Sequence, residues 1–105
     1  MARKPNSIMD ITNEKETCRI RVRVINMWNV PRAPRFNIEM ILMDEKADKI
    51  VTQIKNVDPE KWNDIVKMDK KYMIQNFEVE NNTRQFRATK HAFKLNFVKA
   101  TKIKE

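Results

Sequence analysis

From Arg19 the chain alternates. Arg19, Arg21 and Arg23 take turns with Ile20, Val22 and Val24, the period of a strand with one buried face. The alternation slips near Val24-Ile25 and resumes through Met27, which predicts a bulge that bends the strand. "NVPRAPR", 29–35, reads as a loop, because its prolines remove ladder donors. "FNIEMILMDE", 36–45, and "KIVTQIK", 49–55, read as a hairpin turning at "KAD". "DPEKWNDIVK", 58–67, is the one good helix: Asp58 is placed to cap it, Pro59 suits its first position, and Trp62, Ile65 and Val66 share a face. "KYMIQNFEVE", 71–80, is a fourth strand, and a fifth runs from about Ala92 to Thr101. Residues 1–15 are polar and unpatterned and read as a flexible tail. The domain is expected over 16–102, with a charged end at 103–105.

Three strands, a short helix and two more strands predict an all-β domain with one helix. The order is that of the OB-fold, a five-stranded Greek-key barrel with a helix between strands 3 and 4. Such barrels bind oligonucleotides on the face of strands 2 and 3, between the loops joining strands 1–2 and 4–5.

Composition narrows the chemistry. The 105 residues suffice for one domain with one core, and 41% of them are hydrophobic. There is no glycine, which removes phosphate-cradling glycine loops and leaves positive-φ turns to Asn or Asp. Asn29, Asn37, Asn56, Asn76, Asn81 and Asn82 are the candidates. One cysteine, Cys18, excludes an internal disulfide, and with one histidine, His91, no metal site or other cofactor is expected. No apolar run reaches membrane-spanning length, and the first residues lack a signal-peptide core. The net charge of +8 favours an acidic partner.

The stretch "NNTRQFRATKHAFKLNF", 81–97, sets one aromatic, Phe86, among Arg84, Arg87 and Lys90. A ring exposed there would stack on a base while the cations hold phosphates. The competing reading is a lid over a barrel end. Arg32 and Arg35 in the strand 1–2 loop are candidates for phosphate contact, or else solvated loop arginines. On strand 3, Val51, Gln53 and Lys55 share a face that would line the groove floor, with Gln53 for a base edge and Lys55 for a phosphate. A stripe on strand 1, such as Arg19, Arg21 and Arg23, reads as solvated. Trp62 reads as a barrel plug, Trp28 as core or lid, and Tyr72, Phe77, Phe93 and Phe97 as core. His91 would cap a turn or touch a phosphate; Asp44 and Glu45 read as turn residues. No nucleophile–base pair stands out, so no enzyme and no small-molecule substrate are expected.

"RVRVINMW", "IEMILMDEKADKI" and "QFRATKHAFKLNF" together resemble the single-strand-binding OB domains of the replication protein A large subunit, above all the plant replication-protein-A-like N-terminal domain. The blocks span about residues 19–99. The resemblance implies single-stranded DNA binding without catalysis, a nuclear role in replication, repair or recombination, and other replication protein A subunits as partners. It places Phe86 where the human-type domains carry a stacking aromatic, and Lys55 where they carry a second. A protein-interaction OB domain that docks an acidic segment or another subunit, and an RNA-binding OB domain, are the alternatives.

Overall fold

The computed structural model describes residues 5–12, 19–82 and 91–105. One sheet contains β1 (Arg19–Arg32), β2 (Arg35–Met43), β3 (Lys49–Val57), β4 (Lys71–Gln75), β5 (Glu78–Asn81), β6 (Phe93–Phe97) and β7 (Lys102–Lys104), with helix α1 (Pro59–Asn63) between β3 and β4. The strand order is β5-β6-β3-β2-β1-β4-β7. β6 runs parallel to β3 and the other pairs are antiparallel. The expected fourth strand is split: β4 pairs with β1, whereas β5 pairs with β6. Only Asn76 and Phe77 separate the halves, so the sheet curls round on itself as an OB-fold. Asn76 makes the break with φ 62°.

One face of every main strand supplies the core. Ile20, Val22 and Val24 meet Ile38, Met40, Leu42, Ile50, Ile54, Ile74, Leu95 and Phe97 in one cluster. The bulge stands where the alternation slips, between Val24 and Asn26. Asn56 and Asp69 also adopt positive φ, as a glycine-free chain requires, but so does Ala47, and no positive φ is found at Asn29, Asn37, Asn81 or Asn82.

Five further segments depart from expectation. The supposed strand 1–2 loop is largely strand: the ladder runs on through Pro31↔Phe36 to Arg32↔Arg35, and the tip is a cis Ala33–Pro34. β1 pairs with β4 only as far as Arg23, so beyond it one edge has no partner strand among the described residues and a proline is tolerated. The helix spans five residues rather than ten; Asp58 does cap it, accepting from the Glu60 N–H, but Ile65 is 48% exposed while Val66 is buried. Trp62 packs against the core and tilts on Phe97. The fifth strand stops at Phe97 and a turn follows, in which Thr101 donates from its backbone N–H to the Val98 carbonyl. The charged end instead forms β7, whose Ile103 packs on the core.

The fifth departure is the tail. Residues 5–12 lie on the barrel, with Ile8 and Ile11 buried in the core. Asn6 bridges to Ile20 in parallel, extending the sheet beside β1. Two groups pin the segment: the Asp44 Oδ2 accepts from the Ile8 N–H at 2.9 Å, and His91 Nε2 donates to the Ile8 carbonyl at 2.8 Å. His91 Nδ1 accepts from the Phe93 N–H, so the two ring nitrogens tie the start of β6 to the N-terminal segment. Two isoleucines three residues apart are too short a pattern to stand out among polar neighbours, and the carboxylate that holds them is 36 residues away.

Candidate nucleic-acid interface

The strand ladders put one row of side chains on the outer face. Trp28 stands opposite Glu39, Glu39 opposite Gln53, Gln53 beside Asn96, and Asn96 opposite Glu78. This is the face of strands 2 and 3 on which OB-folds bind oligonucleotides.

Trp28 is the unexpected member. Counted on from Val22 and Val24, its even position belongs to the core. The single-residue bulge at Ile25 shifts the register and turns Trp28 outward, where it is 37% exposed. The signal was present in the slip of the alternation. The indole thus offers the groove face an exposed aromatic surface.

The floor is polar and close-packed. Gln53 faces outward as expected, but it is 6% exposed and Asn96 beside it 4%, so Gln53 forms a buried floor rather than an exposed base reader. The Gln53 Oε1 and Asn96 Oδ1 have no hydrogen-bond donor among the described residues. A buried acceptor without a donor costs stability until one arrives. Asn37 Oδ1, on the same face of β2, accepts from the Asn56 N–H at 3.0 Å.

Cations border this floor. Lys55 is exposed at the end of the outer row on β3; its Nζ lies 3.6 Å from Glu80, which also meets Lys94 at 3.7 Å. One carboxylate therefore positions two ammonium groups, a partly exposed arrangement of small energy that a phosphate can replace. At the other side Arg32 and Arg35 are exposed and directly opposite at the tip of the β1–β2 hairpin. Like charges placed opposite each other destabilise a ladder, and an anion shared between them removes that cost. Arg84, Phe86, Arg87 and Lys90 lie outside the described residues. Their roles rest on the sequence.

The other marked residues have structural places. Asp44 closes the β2–β3 turn: its Oδ1 accepts from the Lys46 and Asp48 N–H groups. Arg21 and Arg23 are exposed on the part of β1 that pairs with β4, away from the row just described. Among the described residues no three His, Cys, Asp or Glu side chains gather as a metal site would need, and no helix is long and apolar enough to cross a membrane.

Comparison places this barrel among known ones. Over 95% of its length it superposes on a chain of "Structure and Conformational Change of a Replication Protein A Heterotrimer Bound to ssDNA", with TM-score 0.78 and 16% identity. It spans 24% of that chain. It also matches DNA binding domain A of S. cerevisiae replication protein A, with TM-score 0.68 and 21% identity, covering 97% of this chain and 93% of that one. No curated protein matches the sequence. The family model described as "Domain of unknown function DUF223" matches residues 9–105. The chain therefore belongs to the DUF223 family, and its fold is that of the replication protein A OB domains on which it superposes.

Proposed function

We propose that this domain binds single-stranded DNA along the outer face of β2 and β3, without catalysis, as a nuclear module of replication, repair or recombination. The observation that carries the proposal is the exposed Trp28 indole on that face, with cations at both sides. A base stacks on the indole, since every base has a π-face and stacking needs no sequence match. Arg32 and Arg35 at the hairpin tip and Lys55 and Lys94 on the opposite side take the phosphates. The carboxylate of Glu80 holds the two lysines in place until a phosphate displaces it. Donors on the bases satisfy the amide oxygens of Gln53 and Asn96. The strand 4–5 loop adds Phe86 as a second stacking ring, with Arg84, Arg87 and Lys90 on the backbone. Other replication protein A subunits are the proposed protein partners.

A fluorescence titration with oligo-dT, an RNA of equal length and matched duplex DNA, at two salt concentrations, tests this. Oligo-dT is expected to bind more tightly than duplex, because stacking needs unpaired bases. With all seven of these cations on phosphates the logarithmic salt slope is about −5, at roughly 0.7 per contact for single strands. Duplex binding equal to or stronger than oligo-dT refutes the groove and leaves charge attraction alone.

A further inference from the structure

A second charged surface lies apart from the groove. The ladders set Arg23 opposite Lys71, Arg21 opposite Met73, Met73 opposite Lys104, and Gln75 opposite Lys102. Because Ile20, Val22, Tyr72 and Ile74 point to the core, these residues share the outer face of β1, β4 and β7. Arg21, Arg23, Lys71, Lys102 and Lys104 are all exposed, and none forms an ion pair among the described residues. The remaining strand side chains of this face, Arg19, Met73 and Gln75, carry no negative charge. Five cations on so small a surface make a strong local field.

The acids nearby offset it only in part: Asp10, Asp44 and Glu45 line one depression of ≈ 820 Å³ with Arg21, Arg23, Lys46 and Lys71, and Lys102 and Lys104 lie outside it. Asp10 accepts from the Ser7 hydroxyl, and Asp44 is taken up by three backbone N–H groups. Asp10 and Glu45 are the exposed acids of that lining.

Among the described residues β7 ends the strand order and pairs only with β4, so its other edge presents backbone groups with no partner strand among them. A short edge with lysine at both ends guards against self-pairing: a second copy of this chain, at +8, is repelled. The same lysines attract a strand that carries carboxylates at alternate positions. Nucleic acid fits this face poorly, because it exposes no aromatic ring on which a base could stack and Tyr72 is buried. We propose that this face and the β7 edge dock an acidic, extended polypeptide segment as an added strand. Backbone bonds to β7 supply affinity, and carboxylates over Lys102, Lys104 and Arg21 supply selectivity. The half-buried Met73 offers an adaptable apolar contact between them.

The test uses a labelled peptide of about eight residues, the usual length of a strand, alternating Glu and Val. Its comparison peptide is N-methylated on every second residue, along the edge that would face β7. The parent peptide is expected to bind, with chemical-shift changes at the Ile103 and Arg21 amides. Lys102→Glu/Lys104→Glu and, separately, Arg21→Glu each weaken it about tenfold or more, as does N-methylation, whereas oligo-dT affinity stays within about twofold. All the substituted side chains are exposed, and the dispersed amide spectrum confirms that each variant is folded. An N-methylated peptide that binds as well as its parent overturns the added strand. Oligo-dT affinity that falls as far as peptide affinity overturns the proposal in favour of a second nucleic-acid surface.

Discussion

Replacing Trp28 by alanine separates binding from folding at one side chain. The indole is 37% exposed, and that exposed part is the platform proposed for a base. Losing a stacking ring costs about 1–3 kcal/mol, so oligo-dT affinity is expected to fall roughly 5–150-fold. The buried remainder, about two thirds of the ring, lies on the sheet beside Glu39. A fully packed aromatic buries about 150–250 Å², so roughly 100–160 Å² are lost, worth about 3 kcal/mol of stability at 25 cal/mol per Å². That loss is a large part of the 5–15 kcal/mol typical of a domain, so denaturation has to be measured beside binding. Trp28→Phe keeps a π-face and restores most of both quantities. Trp28 fluorescence in a Trp62→Phe background reads the contact directly, since stacking quenches the indole. If Trp28→Ala unfolds at lower denaturant but binds oligo-dT as the parent does, and the fluorescence is unmoved by DNA, the indole is only a packing element and the proposed groove is wrong.

Three further predictions concern other groups. Asp44→Ala leaves the buried Ile8 N–H and two turn N–H groups without their acceptor, which costs about 3–5 kcal/mol in urea unfolding and speeds exchange of the Ile8 amide; a loss below about 1 kcal/mol refutes its role as the clasp of the N-terminal segment. Lys55→Phe places a ring on the groove border and is expected to tighten oligo-dT binding while lowering its salt slope by about 0.7, one phosphate contact; weaker binding with an unchanged slope shows that Lys55 lies off the DNA path. The hydrogen bond and negative charge of Glu105 hold Lys70 above its ordinary 10.5; the contribution of this pair to stability is present below that pH and lost as the pH rises through the higher folded value. Because the pair is exposed, Glu105→Gln is expected to leave melting temperatures between pH 6 and 9 nearly unchanged, and a marked fall there refutes the assignment.

Local pattern alone determined the order of the fold. The arginine–isoleucine–valine alternation of β1, the two strands of the 36–55 hairpin, the Asp58-Pro59 helix start and the Phe93-Leu95-Phe97 strand each carry a periodicity that a buried face imposes on its own segment. Lack of glycine likewise foretold positive φ at Asn56 and Asn76. The candidate site was legible only in part. Lys55 stands exposed and Gln53 keeps its face as their strand predicted, and Arg32 and Arg35 are exposed but on strand ends where a loop was expected; burial of Gln53 depends on neighbours from β2 and β6 that no local window contains. Tertiary structure decided the remainder. Ile8 and Ile11 join the core because a carboxylate on the β2–β3 turn and an imidazole before β6 reach their backbone. Lys102 to Lys104 become a strand because β4 offers an open edge. One residue left without a ladder partner at Ile25 turns Trp28 from the core to the groove: alternation records which positions differ, but which face a position joins depends on the register of the strand beside it.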